Sequence, residues 1–434
     1  MMRKAWFGHY RNQYLRTFIF FSALHGVTFV VLYLSLVNVR YSYFWNNFKT
    51  NWNELMSEHK KMLEQDSKLA FMLSQKEDLK KQTFQQKQHI KQLIEANSNR
   101  LQNNLTPFPL PQSKKSFTIG IISIGRKYPY LVSTIVSILK SLDEEERKSC
   151  HLFVLNANSN PSNNTAAKLV ENIVPVFNLH EIPQNLLSDL NFKANNTFHK
   201  EVFDYVVLLR MSYYLQTEYS VLLEDDVKAS PHFLKKIIAR AIPELRNEKG
   251  KWLNMRMFVI DYWENWGVDS FGILMSISVG FSLVLTNFHL LITEQRVWTC
   301  CLRRKHDFFI FFMWAMYTMW IFWSIGKQNI FESSPNGLQQ WNGIGGSTAV
   351  ALLYPWDILR ELTEYLVLNH AANPKDWIID DFARKRKLIQ FHLVPHLFQP
   401  MGAFTSLPNT TMSQTSFVKY YVTNQFDQSG EISD

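Results

Sequence analysis

The chain has 434 residues, a formal net charge of +9, 15 % aromatic residues including 33 Phe and 13 Trp, and three cysteines. That length holds one large or two ordinary domains, and the aromatic load suits a protein with membrane spans and interfacial belts. No basic stripe interleaved with aromatics and no zinc-finger or helix-turn-helix pattern accompanies the charge, so nucleic acid is excluded as the expected partner and membrane topology accounts for the excess of cations.

Residues 1–14 form a short basic tail with Arg3, Lys4 and Arg11 and no acid. Residues 15–37 follow as an apolar run free of charge after Arg16, close to the ~20 residues that cross a bilayer. The positive-inside rule places the N-terminus in the cytosol and the chain beyond Val37 in the lumen. A cleaved signal peptide would have an apolar core of only ~7–15 residues and a small-residue cleavage site. This run is longer and is followed by Asn38-Val39-Arg40-Tyr41, the pattern of an uncleaved signal anchor.

Residues 38–105 are expected to be a helical stem. Between Phe44 and Leu101 there is neither Pro nor Gly; Leu55, Met62 and Leu69 recur every seven residues, and Met72, Leu79 and Leu93 fall on a second seven-residue phase. The repeat fits a short or stuttering coiled coil that spaces a domain from the membrane and makes a homodimer, or a single solvated helix. Residues 106–115 contain Thr106-Pro107-Phe108-Pro109-Leu110-Pro111, an extended linker.

A domain occupies 116–270. Phe117 to Ser123, His151 to Asn156 and Val221 to Leu223 have the composition of buried strands, with Asn254 to Ile260 a further candidate. Tyr130 to Leu142 and Val202 to Leu215 have helical periodicity. Strands alternating with helices predict an α/β fold around a mostly parallel, Rossmann-like sheet. Residues 271–325 then interrupt it with two apolar runs, Phe271 to Ile292 and Phe308 to Ile325. The loop between them, 293–307, carries Arg296, Arg303, Arg304 and Lys305 against Glu294 and Asp307, so a transmembrane hairpin with a cytosolic turn is expected. Two buried core helices are the alternative. Cys300 and Cys301 lie in that turn as an S-acylation site or as inert thiols. Cys150 is the remaining thiol, so no lumenal disulfide within the chain is expected. The domain resumes over 326–408, with helices at Tyr354 to Leu368 and Trp377 to Lys387, and 409–434 is a polar tail. The sequons at Asn104, Asn163, Asn195 and Asn409 all fall in segments assigned to the lumen.

The chemistry centres on Glu224-Asp225-Asp226, which directly follow the apolar strand Tyr219 to Leu223. Three consecutive acids are commonly a solvated loop. At the carboxyl end of a buried strand, where α/β sheets bind ligands, they can hold a hard divalent cation that bridges carboxylates and a diphosphate.

The sequence Lys200-Glu201…Asp204-Tyr205…Leu222-Leu223-Glu224-Asp225-Asp226 resembles Golgi glycosyltransferases of the GT-A fold, in which such a triplet replaces D-x-D. With the inserted hairpin, Asn342 to Pro355, Lys375-Asp376 and Val394-Pro395-His396-Leu397-Phe398-Gln399 leading to Gly402, the chain resembles the post-GPI-attachment N-acetylgalactosamine transferase family over about 116 to 408. The resemblance implies a multi-pass Golgi enzyme with a lumenal catalytic domain that moves GalNAc from UDP-GalNAc to the mannose core of GPI anchors, by a Mn²⁺-dependent inverting reaction. GPI glycolipid, GPI-anchored proteins and membrane lipid are the implied partners. Asp226 becomes the main Mn²⁺ ligand, with Glu224 and Asp225 as further candidate ligands. Glu224 also faces the ribose. Ile122 to Arg126 border the uridine, and Lys200, Gly345 and Gly346 belong to the donor pocket. Asp376 aligns best with the base, with Asp380 and Asp381 on the same segment; charge at a helix N-terminus is the alternative use of such acids. Two positions depart from the family pattern. Relatives carry His before the late glycine where this chain has Pro400-Met401-Gly402, and adjacent cysteines where it has Gly345-Gly346-Ser347. His392 and His396 are candidate replacements for the missing imidazole. An N-glycan-branching N-acetylglucosaminyltransferase and a non-catalytic, transferase-like regulator remain the alternatives.

Overall fold

The computed structural model describes residues 19–31, 52–102, 115–126, 128–188, 190, 197–259, 271–294, 305–326, 330, 337–341, 349–370 and 373–402. The tail 1–14, the linker up to 114, most of the loop 293–307, the tail 409–434, Gly345, Gly346, Cys300, Cys301, Asn104, Asn195 and Asn409 lie outside the described residues. The chain divides into two compact units, Met1–Thr50 with Asp261–Pro335, and Asn51–Ile260 with Asn336–Asp434.

The first unit is helical. It contains the apolar helix Ile19–Val31 and two longer helices, Phe271–Glu294 and Lys305–Ile325. The two long helices have windows of mean hydropathy 1.8 and 1.6, and only 22 % and 17 % of those residues are buried. A core helix of a soluble domain hides its apolar side chains; these present Phe281, Phe288, Phe308 and Phe312 outward, as lipid-facing helices do. Polar side chains join the helices to one another. Ser282 Oγ lies 3.0 Å from Thr318 Oγ1, Thr318 Oγ1 donates to the Ser278 carbonyl at 3.2 Å, and Thr28 hydrogen-bonds Tyr317. Phe21 meets Trp314 edge-on at 4.8 Å, and His25 lies 4.0 Å from Trp320. Such hydrogen bonds and close ring contacts hold these helices together.

The second unit is an α/β domain. Its labelled helices are α1 (Trp52–Ser74), α2 (Glu77–Gln102), α3 (Tyr130–Ser141), α4 (Thr197–Leu215), α5 (Trp356–Asn369) and α6 (Lys375–Arg386). Its strands are β1 (Phe117–Ser123), β2 (Cys150–Asn156), β3 (Val176–Asn178), β4 (Tyr219–Glu224), β5 (Val227–Ala229), β6 (Trp252–Arg256), β7 (Gly337–Trp341), β8 (Ala351–Pro355), β9 (Ile389–Val394) and β10 (Phe398–Pro400). Eight of them make one sheet in the order β3-β2-β1-β4-β8-β6-β9-β7, and β5 pairs with β10. The pairings β1–β2, β1–β4, β2–β3 and β6–β9 are parallel, while β8 and β7 run antiparallel to their neighbours. The sheet is thus mostly parallel, as the alternation of strands and helices predicts.

Side chains alternate across the sheet and fill a core on each face. Ile119, Ile121, Val221, Leu223 and Leu353 pack with Leu131, Ile135 and Ile138 of α3 on one side. Phe153, Leu155, Leu222 and Leu352 pack with Val206 and Leu209 of α4 on the other. Gly120 of β1 is required by this packing: a Cβ there would sit 3.0 Å from Leu208 Cδ1 and 3.2 Å from Phe153 Cζ.

The stem differs from expectation. It is two helices, broken at 75–76 shortly after the heptad phase shifts between Leu69 and Met72, and both fold onto the domain. Ala70 enters one core, with Leu69 and Leu79 packed against it, and Ile90 and Ile94 enter the other, with Leu93 beside them. Asn97 Nδ2 donates to the Tyr214 carbonyl at 2.7 Å. Leu69, Leu79 and Leu93 therefore serve burial within the chain, whereas Met72 of the same pattern is exposed.

Candidate active site

Strands β1, β4 and β6 are co-directional, so Ser123, Glu224 and Arg256 all stand at the carboxyl end of the sheet. β6 ends at this edge and β7 begins there, because Gly337 of β7 pairs with Val394, the last residue of β9.

The triplet is deeply set. Asp225 is 2 % exposed and Asp226 8 %. Asp225 Oδ2 accepts from Ser123 Oγ at 2.8 Å and from the Ile124 amide at 3.2 Å. Arg126 bridges the pair, reaching Asp225 Oδ1 at 2.9 Å and Asp226 Oδ2 at 2.7 Å. Burial pushes the Asp225 carboxyl up to about 6, against the pull of Arg126 and with the repulsion of Asp226. Burial raises Asp226 too, Arg126 opposes, and the Glu224 charge adds to the rise. Glu224 would also rise through burial, but the charge and hydrogen bond of Lys375 outweigh it and hold Glu224 low. Lys375 Nζ lies 2.7 Å from Glu224 and 2.8 Å from Glu201. Behind the triplet a chain of amides fixes three strand ends. Asn178 accepts from Asn156 at 2.9 Å, Asn156 accepts from Asn164 at 3.1 Å, and Asn164 Nδ2 donates to Ser123 Oγ at 3.1 Å.

Asp376 sits in the first turn of α6, beside Lys375. Its Oδ2 accepts from the Ala349 amide at 3.2 Å, and its Oδ1 is closed off from solvent with no hydrogen-bond partner among the described residues. Burial, opposed by Lys375 and reinforced by Glu201 and Glu224, lifts its carboxyl to about 7. A carboxylate poised near neutrality can take up a proton at working pH. Asp380, one turn on, accepts from Arg256 at 2.6 Å and Gln390 at 3.0 Å. Asp381 points elsewhere, accepting from Tyr365 at 2.5 Å and pairing with Lys385 and Arg384. Ile122 pairs with Glu224 across the β1–β4 ladder. Lys200 donates to the Ala157 carbonyl at 2.6 Å and to Asp204 at 2.5 Å, so it braces the loop after β2. The structure thus gathers Glu224, Asp225, Asp226, Ile122 and Arg126, brings Asp376 to them through Lys375, and turns Asp381 away. Arg256, Glu201, Lys375 and Trp341 were not singled out individually for the site by sequence. An arginine ending the apolar strand β6 was the available signal for Arg256.

The residues suit a divalent cation by their donors: hard carboxylate oxygens, with those of Asp225 and Asp226 raised chiefly by burial. Gly402 lies so close to Asp226 that a Cβ would overlap the Asp226 carboxylate, and the Met401 amide donates to the Asp226 carbonyl at 2.6 Å. The three acids do not converge on one point. Among the described residues the convergent trio is Asp143, Glu146 and His232, where Asp143 and Glu146 form a helix capping box and Lys235 pairs with Asp143. Asp226 stands beside Gly402 and Arg126, and Asp225 is taken up by Ser123 and the Ile124 amide. Pro400 brings no imidazole, and His392 and His396 are engaged elsewhere, on Gln339 at 2.7 Å and against the Phe258 ring at 5.5 Å.

A mostly parallel sheet with a cationic and acidic cluster at its carboxyl end is built to handle a phosphorylated ligand, and comparison with known proteins makes the class a glycosyltransferase. The chain belongs to the GPI-N-acetylgalactosamine transferase PGAP4 family, whose model matches residues 117–399, both parts of the divided domain and the hairpin between them. Among solved structures it is similar to the mannosyltransferase Ktr4p from S. cerevisiae, at 11 % identity over 90 % of this chain and 94 % of that one with a TM-score of 0.26. The same mannosyltransferase in complex with GDP matches at 12 % identity over 85 % of this chain and 99 % of that one, again with a TM-score of 0.26. No curated protein matches the chain.

Proposed function

We propose that this glycosyltransferase moves GalNAc from UDP-GalNAc to a mannose of the GPI glycan, in the Golgi lumen, by a Mn²⁺-dependent inverting reaction. The observation that carries the reading is Asp376, a carboxyl raised to about 7 and joined through its neighbour Lys375 to the triplet at the sheet's carboxyl end. Ser123, Ile122 and Arg126 border the donor. Asp226 is the residue that would hold Mn²⁺, with Glu224 and Asp225 supporting it. When bound, the ion supplies Lewis-acid stabilisation of the departing diphosphate. Asp376 takes the proton from the acceptor hydroxyl. The hydroxyl oxygen forms a bond to the anomeric carbon as the bond from that carbon to the UDP oxygen breaks, and UDP departs with the electron pair. Attack opposite the leaving group inverts the anomeric centre.

The two long apolar helices support a membrane-bound enzyme. Basic residues before the first span and in the loop 293–307 favour a cytosolic N-terminus and a lumenal catalytic domain. Asn163 is exposed, as a lumenal acceptor of N-glycan must be. An enzyme held at a membrane meets a lipid-linked glycan with less orientational entropy to lose, which favours a GPI acceptor. A donor screen on the purified full-length protein tests the reading. UDP release with a GPI-glycan acceptor should be fastest with UDP-GalNAc and should need Mn²⁺. Absence of turnover with every UDP-sugar, or a preference for another sugar, would overturn it.

A further inference from the structure

Three polar groups around Arg256 have buried atoms with no hydrogen-bond partner among the described residues. They are Asp376 Oδ1, Asp380 Oδ2 and Trp341 Nε1. Buried polar atoms are rarely left so, because the lost hydrogen bond to water is not recovered. The groups are also placed together. Asp376 and Asp380 are four residues apart on α6 and share one face. Arg256, 1 % exposed, reaches Asp380 at 2.6 Å and lies 5.4 Å from the centre of the Trp341 ring. Trp341 is 8 % exposed and ends β7, the first strand after the hairpin. Its ring is 5.7 Å from that of His392, which is in turn tied to Gln339 of β7. The orphaned set comprises two carboxylate acceptors and one indole donor. A sugar offers the complement, since each hydroxyl both donates and accepts.

We propose that Asp380 and Trp341, held by Arg256, form the subsite that seats the acceptor hexose beside Asp376. One ring hydroxyl donates to Asp380 Oδ2 and a neighbouring one accepts from Trp341 Nε1–H, which leaves the reacting hydroxyl to Asp376 Oδ1. Arg256 is a positioning residue: it fixes the Asp380 carboxylate and the plane of the indole without touching the sugar. The inference rests on the reading of Asp376 as the base.

Trp341→Phe removes the indole N–H and keeps a ring over Arg256; Asp380→Asn keeps one acceptor and removes the charge. Steady-state kinetics on the full-length protein, with UDP-GalNAc as donor and the soluble trimannosyl core of the GPI glycan as acceptor, separate the two substrates. Each variant is expected to raise the acceptor KM about tenfold, the scale of one lost hydrogen bond in a desolvated site, while the donor KM moves less than twofold. An unchanged acceptor KM, or a rise confined to the donor KM, overturns the subsite. Wild-type transfer from UDP-GalNAc to this fragment tests the underlying reading separately, because its absence sinks that reading whatever the variants do. Should either variant not fold, hydrogen exchange of the wild type decides. The fragment added with UDP should protect 337–341 and 375–386 beyond UDP alone, and protection only elsewhere contradicts the proposal.

Discussion

At the scale of single residues, the site is a contest between burial and charge. Asp225 and Asp376 are raised by desolvation, while Glu224, in the same cluster, is held low because Lys375 touches it. For Asp376 the consequences have opposite signs for activity and stability. As a base it must be ionised, so kcat should rise as pH increases through about 7. Its folded value lies above the ordinary 3.8, so the unfolded chain releases this proton first, and stability falls as pH rises between those values. Asp376→Asn should therefore lower kcat by about 10²–10⁴-fold with little change in donor KM, and remove the rise in kcat near pH 7. It should also melt higher than wild type at pH 8, with the gain shrinking toward pH 4. A pH profile of the variant that keeps the wild-type limb would reassign the base. Gly402→Ala is a second residue-scale test. Its methyl overlaps the Asp226 carboxylate, so donor-dependent turnover should drop at least tenfold while the fold persists, read as UDP release beside a thermal melt. Unaltered turnover would show that Asp226 need not hold this position.

At the scale of elements, α2 belongs to the domain. Ile94 is 1 % exposed within a core shared with α4, whereas Met72 on α1 is 60 % exposed. Ile94→Ala should cost about 2–5 kcal/mol and Met72→Ala within about 0.5 kcal/mol, measured by denaturant unfolding. Equal, small effects would restore a projecting stem. Elements bounded by their own chemistry were legible. β1, β2 and β4 are apolar runs between polar residues, and α3 has a full amphipathic period. β8 was not, because Ala351–Pro355 is a short apolar run that periodicity cannot tell from a helix start; the helix begins only at Trp356. β7, β5 and β10 were also missed. They are short, and their pairing partners lie far away in sequence. The site divides in the same way. Acids after a buried strand could be read directly, and Asp376 through the resemblance. The link from Lys375 to Glu224 spans 151 positions and that from Arg256 to Asp380 spans 124, which no local pattern reports.

At the scale of the whole molecule, two long apolar helices stand in sequence between the two parts of one α/β domain. If tethering serves a lipid-linked acceptor, replacing 271–325 by a soluble linker should reduce transfer to GPI in liposomes at least tenfold and spare transfer to the soluble trimannosyl fragment. Equal losses on both acceptors would make the hairpin a folding element instead. The most direct measurement is radiolabelled GalNAc incorporation from UDP-GalNAc into GPI by the purified protein, comparing wild type with Asp226→Ala across a Mn²⁺ titration. Wild-type incorporation should depend on Mn²⁺ and be abolished by chelation, and the variant should fall at least about a hundredfold with unchanged yield and melting. Incorporation by Asp226→Ala at the wild-type rate would contradict a reaction organised around this acid.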